Sequence, residues 1–155
     1  CHNGLHFSDT VLHERNRIGE RAFHNTGLYN IDGRGAYPAN NTGIAEITGR
    51  PEDMGRFRAP SLRNVAVTAP YMHDGSIPTL REVLRTHYAR AGRAVHAGRV
   101  ANPLRSELIA GFEISDDEIA DVVAFLDSLT DDRFLRNPTH GNPWRNDAKG
   151  THSTR

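Results

Sequence analysis

The sequence of 155 residues contains one cysteine, so no disulfide can close within the chain. It has no excess of either charge. Nineteen Lys and Arg balance nineteen Asp and Glu, which removes the electrostatic case for nucleic acid or an anionic membrane surface. No run of about eighteen apolar residues exists, so no membrane-spanning helix is expected. Aromatic residues are few, at 7%, and the hydrophobic share is 37%. That is lean for a chain long enough to build one core of its own. No internal repeat is found. The chain opens on Cys-His with no initiator Met or signal peptide, and we read it as a piece of a longer protein.

What the chain does have is loop punctuation and histidine. Fourteen Gly, eight Pro and nine His stand out. Residues 1 to about 60 show no sustained period and carry turn signals at Asn25-Thr26-Gly27, Asp32-Gly33-Arg34-Gly35 and Asn40-Asn41-Thr42-Gly43. So long an irregular stretch calls for something to wrap around. Pro60 is placed to start a short helix through Asn64. Two longer helices are expected. In one, Thr79 and Glu82 form a capping box. Leu80, Val83, Leu84, His87, Tyr88 and Ala91 then recur at helical spacing, and Gly92 closes it. In the other, Ser115 and Glu118 repeat the box before Ile119, Val122, Val123, Leu126 and Leu129. A weaker helical stretch is expected near Leu104 to Phe112, and a disordered tail from about Asn146 to Arg155.

Cys1-His2 has the last two letters of the C-x-x-C-H motif that attaches haem c. Such pairs also arise by chance. In the motif the thioether holds the ring where the next residue reaches the iron. A second axial ligand is then needed, or an open face. Met54, Met72, His73, His87 and Tyr88 are all candidates, and spacing does not choose among them. A large apolar cofactor would also stabilise a lean, loop-rich chain by binding only its folded state.

The run from Gly55 to Gly75, GRFRAPSLRNVAVTAPYMHDG, resembles the signature of the bacterial di-haem cytochrome c peroxidase and MauG family. Cys1-His2-Asn3-Gly4 is similar to the end of that family's second haem motif. Phe23-His24-Asn25-Thr26-Gly27 is similar to its F-H-N-x-G. Thr79 to Val83 resembles its T-L-E-E-[VA] helix, and Ala124 to Thr130 its closing A-F-L-x-[ST]-L-T. Phe134 to Pro138 and Asn142-Pro143-Trp144 resemble the MauG-like branch linked to methanobactin biosynthesis.

The resemblance implies a mainly α, cytochrome c-like domain with long loops. Residues 1–130 would be the C-terminal haem domain and 131–155 a partly disordered extension. The cofactors implied are covalent haem c and calcium. Cys1 would be a thioether cysteine and His2 the proximal iron ligand. The distal ligand in the family is Met in peroxidases and Tyr in MauG-like enzymes, from the helix after H-D-G. Neither Met of this chain lies on that helix. Counting from His73 lands on His87, whereas aligning the His-Tyr pair lands on Tyr88. One residue looks inserted, and we favour Tyr88. Arg58 and Arg63 would pair with haem propionates, as a guanidinium suits a carboxylate. His73 and His24 would support the haem by hydrogen bonds. Trp144 would serve as a packing residue or redox relay. The Thr68 and Pro70 carbonyls would bind calcium.

The function implied is that of an oxidoreductase domain carrying the six-coordinate electron-transfer haem. The whole enzyme would use peroxide to oxidise a protein residue or a small donor cytochrome. Its partners would include its own N-terminal haem domain, and its compartment would be the periplasm. A plain electron-transfer cytochrome without catalysis is the alternative.

Overall fold

A computed structural model describes residues 1–10, 22–92 and 100–141. Helix is the regular structure of any length, yet loop dominates. Among the described residues the one sheet is a two-residue antiparallel ribbon, β1 (Phe23–His24) against β2 (Phe57–Arg58), with Phe23 opposite Arg58 and His24 opposite Phe57. Four α-helical segments follow in chain order: α1 (Ala45–Thr48), α2 (Leu80–Glu82), α3 (Asp116–Ser128) and α4 (Asp132–Arg136).

α3 forms where its sequence pattern places it. The Ser115 hydroxyl accepts from Glu118 N at 3.2 Å, and Ser115 N donates to the Glu118 carboxylate at 2.7 Å. Asp116, Asp117 and Glu118 sit in its first turn, where the helix dipole favours negative charge. Ile119 and Leu126 turn inward and are buried. Each such side chain contributes roughly 1.5–3 kcal/mol when fully buried.

α2 begins as expected, with the Thr79 hydroxyl accepting from Glu82 N. It does not continue as an α-helix. Val83–Tyr88 is a π-helical turn, and Ala89 N bonds back five residues to Leu84 O at 2.9 Å. A π-turn holds one residue more than an α-turn, which is the size of the spacing conflict read from the sequence. Gly92 N then bonds to His87 O, with Ala91 and Gly92 both left-handed at the end. α2 packs against α3, and Arg81 and Arg85 both reach Asp116 across the junction. These charges are exposed, and the packing matters more than the pairs.

Elsewhere the elements differ from expectation. The turn after Pro60 becomes a 3-10 turn at Val65–Val67, three residues beyond Asn64 at its latest, rather than a helix through 61–64. Residues 104–112 run as turns and loop without a helix. α4 and a 3-10 turn at Pro138–His140 lie in the polar stretch that the sequence left without elements. Asp131 caps α4 by accepting from Phe134 N at 3.0 Å, and its own N donates to Asn64 Oδ1 at 2.7 Å. Trp144 and the tail from Asn146 lie outside the described residues.

Buried amides hold the loops. Asn25 donates to Met54 O at 2.8 Å and accepts from Gly27 N and the Tyr37 hydroxyl. Asn30 accepts from Gly35 N at 2.9 Å and donates to Ala101 O at 3.2 Å. Asn102 donates to Tyr29 O at 2.7 Å and accepts from Leu104 N. All three are nearly inaccessible. Loop backbone that enters an interior must find partners, and side-chain amides supply both a donor and an acceptor. The apolar core is correspondingly small, built around Leu28, Tyr37, Ile77, Val83, Ile119 and Leu126.

Candidate haem site

The Cys1-His2 segment folds back on itself. Asp9 N bonds to Cys1 O at 2.8 Å, Ser8 N to Asn3 O and Phe7 N to Gly4 O. Phe7 is left-handed, at a φ of 49°. This tight loop brings the Phe7 carbonyl to 3.2 Å from Nδ1 of the exposed His2. A carbonyl only accepts, so the bond places the ring proton on Nδ1. That leaves the Nε2 lone pair available to a metal, the arrangement that orients ligating histidines. The half-buried Cys1 sits beside it. The pair therefore fits a covalent haem.

Arg63 joins this group. Its guanidinium donates to Leu5 O at 2.8 Å and lies 5.7 Å above the Phe7 ring. Ser61 donates to His6 O, and the Ser8 and Thr10 hydroxyls both donate to Ala59 O. The signature segment 59–63 is thus the wall on which residues 5–10 lie. Phe7 meets Phe125 of α3 edge to face, with centroids 6.0 Å apart.

His24 donates or accepts at Asp9, with Nε2 2.6 Å from Oδ2. That partner is one the sequence did not flag. Asp9 stands in Phe7-Ser8-Asp9-Thr10, where nothing marks it. Among the described residues, Cys1, Asp9 and His24 bring ligand-type atoms within 4.8 Å of one another.

His87 and Tyr88 share the π-helical turn. His87 is fully buried and Tyr88 is partly so, and their rings meet edge to face at 5.0 Å. Burial raises the Tyr88 phenol above its ordinary value, so the phenol keeps its proton in the absence of a nearby positive charge. α3 touches both this turn's helix and the Phe7 loop, through Asp116 at one end and Phe125 towards the other.

The remaining candidates lie on neighbouring segments. His73 is exposed and stacks on Phe57, with centroids 3.9 Å apart and 17° between planes. Arg58 is exposed on β2 and borders a shallow cleft with Phe23, Ile44 and Ile47. Thr68 and Pro70 are exposed in the turn after Val65–Val67. Among the described residues nothing donates to either carbonyl, and two carbonyls make only part of the shell of a hard cation. No helix among the described residues is long and apolar enough to cross a membrane.

Comparison with known proteins converges on one chemistry. Residues 56–92 match the family described as RoxA-like, cytochrome c-like. The cytochrome-c peroxidase IdrP1 of Pseudomonas sp. (strain SCT) is 32% identical over 142 residues, covering 84% of this chain and 35% of that protein. The methylamine utilization protein MauG of Paracoccus denitrificans (strain Pd 1222) is 38% identical over 97 residues, covering 54% of this chain and 25% of that protein. A solved MauG-like protein associated with microbial copper homeostasis superposes with a TM-score of 0.81 at 50% identity, over 94% of this chain and 43% of its own. The chain thus spans between a quarter and about a third of the length of these two curated relatives.

Proposed function

The chain belongs to the bacterial di-haem cytochrome c peroxidase and MauG family, and from that premise we propose that it carries the six-coordinate electron-transfer haem c of a MauG-like oxidoreductase. The observation that supports this reading is the bond from His2 Nδ1 to the Phe7 carbonyl beside Cys1, which leaves the Nε2 lone pair free to bind a metal. Cys1 would hold the ring and His2 would be its proximal ligand. Tyr88 would supply the distal ligand, with His87 as the competing one. Arg63 and Arg58 would face propionates, and His73 would support the site from the Phe57 stack. When bound, the haem supplies reversible one-electron storage.

The chain's own groups set how that storage is tuned. A phenolate from Tyr88 or an imidazole from His87 as a second ligand would lower the reduction potential relative to a thioether. The helix after His73-Asp74-Gly75 offers a Tyr and a His there but no Met. This favours a MauG-like oxidation of a protein side chain over turnover of a donor cytochrome. Peroxide would react at the haem of a separate N-terminal domain. The Thr68 and Pro70 carbonyls would contribute to a calcium site completed by that domain. Residues 1–130 would form the haem domain, with 131–155 an extension. The likeness of Phe134 to Pro138 to the methanobactin-linked branch fits the association of the solved relative with microbial copper homeostasis. Covalent haem attachment outside the cytoplasm would place the protein in the periplasm.

The full-length protein tests this. A pyridine haemochrome assay should find covalent haem. Peroxide should then raise a near-infrared band, with slow turnover of a reduced cytochrome. Absence of covalent haem overturns the reading. Fast donor turnover without the band transfers the protein to the peroxidases, and loss of all peroxide reactivity leaves an electron carrier.

A further inference from the structure

Four rings from four separate stretches of chain meet beside β2. Tyr29 and Tyr37 have centroids 5.3 Å apart, Tyr37 and Phe57 6.2 Å, and Phe57 and His73 3.9 Å. His73 also faces both tyrosines, at 6.1 Å and 5.9 Å. The cluster thus contains two residues that give up an electron readily, in contact with each other. Electron tunnelling falls steeply with distance, so rings in contact exchange charge far faster than rings a residue apart.

The two phenols differ in what holds their protons. The Tyr29 hydroxyl donates to Asp74 Oδ2 at 2.8 Å. The other oxygen of Asp74 accepts from Ser76 N at 2.9 Å, which fixes the carboxylate in place. The Tyr37 hydroxyl donates to Asn25 Oδ1 at 2.8 Å, and an amide oxygen is a very weak base. A phenol that loses an electron becomes a strong acid. Only Tyr29 has a base within one hydrogen bond to take the proton.

We propose that Tyr29, with Asp74 as its proton acceptor, is a redox-active tyrosine that relays single electrons through the ring cluster. In the step, Tyr29 gives one electron to a one-electron oxidant, a part that the haem would take under the proposed function. Its O–H bond breaks and the proton crosses to Asp74 Oδ2, which becomes a carboxylic acid. The products are a neutral tyrosyl radical and a reduced oxidant. An electron from an oxidisable side chain of a partner protein restores the phenol, and the proton returns from Asp74. Tyr37 keeps its proton throughout, as burial pushes its phenol up to about 12. Tyr29 is also raised, first by burial and then by its bond to Asp74, so it rests as the protonated electron donor.

The relay extends the proposed function, on which its cellular oxidant rests, whereas the Tyr29–Asp74 chemistry does not depend on it. The test therefore delivers the oxidant from solution. The full-length protein is flash-oxidised with a photo-excited ruthenium tris-bipyridyl complex and a sacrificial acceptor. The tyrosyl radical is followed by transient absorption and by electron paramagnetic resonance. Tyr29→Phe should abolish the fast radical component, while Tyr37→Phe, below its melting temperature, should retain it. Asp74→Asn should slow radical formation. Survival of the fast component in Tyr29→Phe overturns the proposal, as does equal loss in Tyr37→Phe or an unchanged rate in Asp74→Asn. Circular dichroism and the resting haem spectrum confirm that each variant is folded. A positive flash result with no peroxide-generated radical would keep the tyrosine relay and remove the haem as its oxidant.

Discussion

His87 and Tyr88 meet edge to face, 5.0 Å between ring centroids, on a π-helical turn that gives the two neighbours different surroundings. His87 points wholly inward and Tyr88 partly so. π-turns recur at functional sites because the extra residue re-aims side chains without breaking the helix. Tyr88→Phe should therefore shift the low-spin haem spectrum of the full-length protein more than His87→Ala does. His87→Ala should instead act on stability, because it empties a fully enclosed site. Optical and electron paramagnetic resonance spectra of the two variants decide this. A larger spectral change in His87→Ala would transfer the ligand to the histidine.

The two loops that flank this helix touch through glycine. Gly27 has a φ of 79° and Gly92 a φ of 63°. A Cβ on Gly27 would collide with the Gly92 carbonyl, and one on Gly92 with the Thr26 carbonyl. Both obstacles are backbone and cannot rotate away. Gly27→Ala combines this clash with a left-handed backbone, so it should destabilise by more than about 1 kcal/mol. Thermal denaturation should show a clear loss, and an unchanged melting temperature would mean that the loops are free to part.

α3 and the start of α2 were legible because their signals are local. A capping box and a helical stripe specified α3 to within a residue, and Cys1-His2 is read directly off the chain. The spacing between His73 and Tyr88 was legible as a conflict with the family pattern. The π-turn there was not legible, because it depends on how Val83 and His87 pack inward. Asn25 and Asn30 carry the same turn signals whether exposed or buried. Their part in stapling residues 25–37 to Met54 and Ala101 arises only from contacts distant in sequence. Asp9 was missed for the same reason, since its partner His24 is fifteen residues away.

Tyr37 provides a test of those staples that leaves the ring cluster in place. Its hydroxyl accepts from Leu28 N at 3.1 Å while donating to Asn25. Leu28 is fully buried, so removing the hydroxyl strands a buried donor. Tyr37→Phe should cost about 1–3 kcal/mol on that ground alone. The loss should appear as a lower melting temperature and faster amide exchange at Leu28. Retention of Leu28 protection would show that another acceptor replaces the phenol.

The Ser115 cap ties stability to acid conditions in a direction that can be worked out. Ser115 N, donating to the Glu118 carboxylate, holds that group below its ordinary value of 4.5. A carboxyl with a lower value when folded binds its proton less readily than in the unfolded chain. Its contribution is thus complete above the ordinary value and disappears as pH falls below it. Ser115→Ala removes the side-chain half of the box, at a cost of about 1 kcal/mol. Glu118→Gln leaves Ser115 Oγ in place but removes the charge from the first turn. Acid titrations of α3 stability should therefore show a smaller drop below pH ~4.5 in Glu118→Gln than in the parent. Ser115→Ala should lower stability across the whole range, because the lost bond to Glu118 N does not titrate. Parallel acid profiles for Glu118→Gln and the parent would show that the box contributes geometry alone.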